Sequence, residues 1–125
     1  MGSKVMKTRV SEIWQEEDGI TRIKTFPNAK MTIDDAIESN EIVNNFSNLK
    51  GSILFIDISE IASIDRESRK FFSELENNLA VALLVGSPLS KIIGNFFIGL
   101  NKASLPLKLF TSEDEAIRWL KGFLQ

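Results

Sequence analysis

Two short stretches of this chain bring polar groups to positions where a ligand or partner could be held. The first is Asp65-Arg66-Glu67-Ser68, downstream of an apolar run that closes on Asp57-Ile58. A carboxylate at a helix start accepts free amides, and an arginine offers a planar fork for carboxylate or phosphate. The second is Gly86-Ser87-Pro88-Leu89-Ser90-Lys91. A turn that opens a helix presents amides to an anion, so Gly86, Ser87, Ser90 and Lys91 form a candidate anion or ligand site. It is not a Walker motif, because the Gly-x-x-x-x-Gly-Lys-[ST] spacing is missing. Nor is it a Ser-x-x-Lys dyad, since Lys91 follows Ser87 by four positions. Ser87 serves equally well as a helix N-cap, with Pro88 at the first helical position.

Absent residue types exclude more chemistry than present ones suggest. There is no histidine, cysteine or tyrosine. Triads built on histidine, thiolate nucleophiles, disulfides and histidine or thiolate metal sites therefore cannot be assembled. Asp57 could ligate a hard cation, but such sites need several oxygens and no second dense acidic cluster accompanies it. A non-enzyme without metal or cofactor is expected. The net charge of −2 and pI near 5.2 offer no basic field, so nucleic acid is not an expected partner. The opening MGSKVMKTRV has no apolar core, and no apolar run approaches a bilayer span. A cytoplasmic chain without stable membrane insertion follows.

The elements that must position these residues are legible from periodicity. Residues 1–9 are expected to be a flexible start, with one domain over 10–125. Val10–Glu17 and Ile20–Phe26 read as strands joined by Asp18-Gly19, a type I′ hairpin signal. Thr32 caps a helix with Ile33, Ala36, Ile37, Val43 and Phe46 inward, ending near Asn48. Ser52–Ile58 and Ala80–Val85 are continuous apolar runs, as in strands buried on both faces. Between them, Asp65 or Ser63 caps a helix whose core face is Ser68, Phe71, Phe72, Leu75 and Leu79. A third helix, ending near Asn101, carries Leu89, Ile92, Ile93, Phe96, Phe97 and Leu100 at helical spacing. Leu105–Phe110 is an edge strand because of Pro106. Thr111 or Ser112 caps a last helix with Ala116, Trp119, Leu120 and Phe123 inward, and Ser112 with Glu115 forms a capping box. Alternating strands and helices predict an α/β fold: a mixed five-stranded sheet, an antiparallel hairpin followed by parallel β-α units, four helices, and strands in roughly sequential order.

This order, with Ile53–Phe72 (ILFIDISEIASIDRESRKFF) at its centre, resembles the STAS domains, the SpoIIAA-like anti-sigma-factor antagonists. In them an apolar strand and an Asp-containing turn lead to an Asp-Ser-Ser-Gly helix start. Here Phe55-Ile56-Asp57-Ile58 looks like the strand, and Asp65-Arg66-Glu67-Ser68 stands where the motif would be. Ala80–Leu120 resembles the STAS/SEC14-like group of small bacterial proteins. The resemblance implies a regulatory module that docks a protein partner at Asp65, Arg66, Glu67 and Ser68, beside the Gly86–Ser90 turn. Its SEC14-like side implies instead a carrier or sensor of a small apolar or anionic ligand. The regulated serine of the family would fall at Arg66 or Glu67, and neither can be phosphorylated. Ser68 is one residue late and leans toward the core by helical spacing.

Two further features point to contacts. Gly94 and Gly99 each cost the third helix about 1 kcal/mol relative to alanine. Either they allow close packing within the domain, or Gly94 and Ile98 mark a homodimer contact or apolar pocket. Trp14, on the hairpin, is expected to cap the core.

Overall fold

The computed structural model describes residues 4–46, 51–75, 78–100 and 105–124. The expected helix ends near Asn48 and Asn101 lie outside them. The main sheet holds β1 (Met6–Lys7), β2 (Ser11–Gln15), β3 (Thr21–Thr25), β5 (Ser52–Asp57), β7 (Asn78–Leu84) and β8 (Leu107–Phe110), in that spatial order. β1, β2 and β3 are antiparallel, and every later pairing is parallel. A separate parallel ribbon joins β4 (Lys30–Met31) to β6 (Ser63–Ile64). The helices are α1 (Ile33–Phe46), α2 (Arg66–Ser73), α3 (Pro88–Leu100) and α4 (Glu113–Lys121).

Among the described residues the expected order and the four helices are present, but the main sheet has six strands rather than five. The added strand and the ribbon are two residues long each, too short to leave a period in sequence. No break marks the expected boundary at Val10. Met6 and Lys7 pair with Ile13 and Glu12, and Val10 is buried.

The hairpin turn also differs. Gly19 has φ +84°, but Asp18 does not take the positive φ that a type I′ turn requires. Gln15 opposes Thr21, and the Glu16 amide donates to the Ile20 carbonyl. The loop proper is thus three residues, with glycine at its left-handed position. Asp18 instead accepts from the Ile20 amide and pairs with Arg22.

β5 and β7 are buried on both faces, which is why they read as unbroken apolar runs. On one face Leu54, Val81 and Leu83 join Ile13, Ile23 and Val43 beneath the helices. On the other, Phe55, Ala80 and Ala82 pack with Ala116 and Leu120 of α4. α1, α2 and α3 neighbour one another in sequence and share the first face; α4 covers the second.

Periodicity misplaces part of the inward faces. Ile37 is exposed, and α1 instead buries Asp35, Ala36, Ser39 and Val43. Leu79 belongs to β7 and is exposed. α3 buries Ser90, Ile93 and Gly94, whereas Leu89, Ile92, Phe96 and Leu100 face outward. The small residues decide this rotation. A β-carbon on Gly94 would lie 2.9 Å from Leu109 Cδ2 and 3.1 Å from Val85 Cγ1. Gly94 is therefore a packing glycine within the domain. Gly99 has nothing within 4 Å of such a carbon. Gly94→Ala is expected to destabilise by about 1–2 kcal/mol, because overpacking outweighs the helix-propensity gain. Gly99→Ala is expected to be neutral or stabilising by up to about 1 kcal/mol. Paired urea titrations check the contrast.

Candidate functional site

The turn after β5 and the turn after β7 meet at the carboxyl edge of the sheet. Asp57 Oδ1 accepts from the Ser59 amide at 2.9 Å and from its hydroxyl at 2.6 Å. The Ser59 carbonyl in turn accepts from the Ser87 amide at 3.1 Å. Gly86 approaches so closely that a β-carbon there would sit 3.2 Å from Ser59 Cβ. Asp57 is thus held as a turn acceptor. Among the described residues no three acidic side chains gather where a metal could sit.

The Gly86–Lys91 turn caps its own helix. The Ser90 amide donates to Ser87 Oγ at 3.0 Å. Ser90 is fully buried; its hydroxyl accepts from the Gly86 amide and donates to the Ser87 carbonyl. The Gly86, Ser87 and Ser90 amides are therefore already engaged. Lys91 points elsewhere, into an open groove of about 680 Å³ along the outer edge of β8. Lys108 and Arg118 share that groove with Glu115. Among the described residues none of the three cations forms an ion pair. Lys108 lies 5.3 Å from the centre of the Phe110 ring. Lys108 and Arg118 escaped the sequence reading because they come from different elements and share no motif.

The first turn of α2 divides its four candidates. Asp65 is the N-cap, accepting from the Ser68 amide at 2.8 Å. Hydrogen bonding by Ser68 holds the Asp65 carboxyl below the usual carboxylate range. Arg66 and Glu67 are exposed. Ser68 is 0% exposed, which removes it from any contact surface and corrects its assignment as a partner residue.

Beside this turn lies an apolar surface that hydrophobic spacing alone would turn inward. Ile92 is 66% exposed, and Leu89 and Phe96 are each 42% exposed. Their spacing of three and four puts them on one face of α3. Arg69 of α2 stacks on Phe96 with 4.9 Å from guanidinium carbon to ring centre, and Phe72 meets Phe97 edge-on at 6.4 Å. The stripe and the charged α2 turn thus form neighbouring surfaces of one helix pair. Ile98 is exposed on α3 away from that stripe. Trp14 is half-buried, with its indole N–H donating to Glu16 at 2.7 Å.

No helix among the described residues is long and apolar enough to cross a membrane. The fold is similar to a solved structure of an uncharacterized protein of the DUF3478 family from Shewanella loihica PV-4 with a SpoIIAA-like fold. The TM-score is 0.59 and the identity 13%, over 95% of this chain and 92% of that one. This likeness supports the SpoIIAA-like architecture and says nothing of function. A protein of unknown function from Arthrobacter sp. FB24 is 30% identical over 92% of this chain and 95% of that one, with a TM-score of 0.36. A family model described as a domain of unknown function, DUF7793, matches residues 13–124. No curated protein matches the chain.

Proposed function

This chain belongs to the DUF7793 family, and we propose that it works as a non-catalytic, cytoplasmic interaction module that docks a protein partner. The observation that supports this reading is the outward stripe of Leu89, Ile92 and Phe96 next to the charged first turn of α2. An apolar centre with a charged rim is the usual anatomy of a protein interface. Arg66 and Glu67 supply the rim, and Arg69, stacked on Phe96, joins rim to centre. A regulatory role of the kind that anti-sigma-factor antagonists have is part of this proposal and rests on the resemblance of Ile53–Phe72 to the STAS domains. Regulation by phosphorylation at this turn finds no support, since Ser68 is buried and Arg66 and Glu67 cannot accept a phosphate.

The test is capture of partners from extract by wild-type chain, by Ile92→Asp, and by Arg66→Glu with Glu67→Lys. Ile92→Asp is expected to weaken capture about 30-fold or more while leaving the fold intact, because the residue is already solvated in the free chain. The charge reversal is expected to slow association and shift its salt dependence. Partners retained unchanged by both variants would remove this surface. Partner capture reduced only by changes at Lys91, Lys108 and Arg118 would move docking to the β8 groove.

A further inference from the structure

Beneath the same helix pair lies a largely apolar space that plays no part in the proposed docking. A cavity of about 130 Å³ separates the sheet from α1, α2 and α3, with Ile23, Leu54, Val81, Leu83, Ile93 and Phe97 in its walls. Ser39 of α1 also lines it. Ser39 is 3% exposed, and its hydroxyl has no hydrogen-bond partner among the described residues. A serine inside a helix commonly returns its proton to the carbonyl one turn back, and this one does not. Buried polar groups are nearly always paired, so an unpaired hydroxyl at an apolar cavity calls for an occupant.

Water answers poorly. A buried water makes about three hydrogen bonds, whereas among the described residues Ser39 is the one side chain of this wall with a fully buried, unpaired polar atom, Asn40 and Asn78 being only half-buried. Apolar cavities of about 150 Å³ stay dry and take up molecules the size of benzene. We propose that this cavity binds a single neutral, ring-sized apolar molecule carrying one hydrogen-bonding oxygen, which Ser39 engages. Phe72 and Phe97 in the walls favour an aromatic ring. The inference stands apart from the docking surface, because it rests on the interior of the domain.

Phenol and toluene separate the two parts of the claim, since they share a ring and differ in the oxygen. Methyl NMR titration of wild-type chain with phenol is expected to shift Ile23, Leu54, Val81, Leu83 and Ile93 together. Phenol is expected to raise Tm. Ser39→Ala is expected to weaken phenol binding about tenfold and leave toluene binding unchanged. The same variant is expected to be no less stable than wild type, because it removes an unpaired polar atom. Val81→Phe, which fills the space, is expected to abolish both responses; its fold is checked by circular dichroism. If Val81→Phe does not fold, Leu54→Phe replaces it in the same measurement. Absence of methyl shifts with both probes overturns the proposal. Shifts that survive filling of the cavity place the probes elsewhere and overturn it as well. Equal loss of phenol and toluene in Ser39→Ala overturns the role of the hydroxyl.

Discussion

Leu120→Ala is expected to cost about 2–5 kcal/mol, the range for deleting a buried leucine side chain when its site collapses only in part. Leu120 has no exposed surface, and neither has Ala116 one turn before it. Both lie on α4, the helix that among the described residues covers the face formed by Ile53, Phe55, Ala80 and Ala82. Among the described residues no second helix on that side can slide in to refill the space. A domain of this size has about 5–15 kcal/mol of stability in total, so the loss is a large share of it. Guanidinium titration is expected to show a lower midpoint with an unchanged slope. A loss under 1 kcal/mol would mean that the α4 face repacks freely.

The second large effect is expected at Asp35, a buried carboxylate in the third position of α1. It accepts from the Thr32 amide at 2.9 Å and the Thr32 hydroxyl at 3.0 Å, and it pairs with Arg9. Burial alone would raise its pKa. Hydrogen bonds from Arg9 and Thr32 outweigh that effect and hold the carboxyl below the usual range. The folded-state pKa is therefore lower than the unfolded one, near 3.9. The resulting stability is fully present above that value and is lost as pH falls through the folded pKa. Asp18 follows the same rule: its burial pushes upward, and Arg22 and the Ile20 amide bring it below the ordinary value.

Acid unfolding is therefore expected to begin as pH drops below about 5 and to steepen below 4. Asp35→Ala is expected to destabilise by about 1–2 kcal/mol at neutral pH and to flatten the acid limb. Most of that cost belongs to the helix start, because Arg9 is largely exposed and its pairing is screened. Equal stability of wild type and variant at pH 7 would refute the assignment.

The parts of the fold that could be read in advance were those where burial writes an unambiguous pattern. β5 and β7 are central strands, and a strand covered on both faces has to be apolar at every position. Caps were equally legible where local geometry decides them: Asp65, Ser87 and Ser112 each accept the amide three residues on. α3 was legible as a helix but not in its rotation. It carries large apolar side chains around most of its circumference, so hydrophobic spacing fits two faces. The residues that settle the matter are small ones, Ser90 and Gly94, four apart and inward because the helix lies close to Val85 and Leu109. Reading small residues as a packing face would have turned the helix correctly and put Ile92 on the surface.

The candidate site was legible in location more than in membership. Arg66 and Glu67 are exposed where expected, but Ser68 and Ser90 are interior. The groove cations and the Ser39 cavity arise from contacts between distant segments, which no local spacing records.

The strand order β1-β2-β3-β5-β7-β8 has a kinetic side. Each strand pairs with the strand of the main sheet that precedes it in the chain, so no later strand must be inserted between two earlier ones. Loop closures stay short, and the sheet can lengthen outward from the hairpin as the chain is synthesised. α4 comes last. Until it docks, Phe55, Ala80 and Ala82 form a bare apolar face on an otherwise assembled sheet. A chain whose α4 has not yet docked is thus the species in which aggregation competes with folding, and that interval is set by the docking of one nine-residue helix.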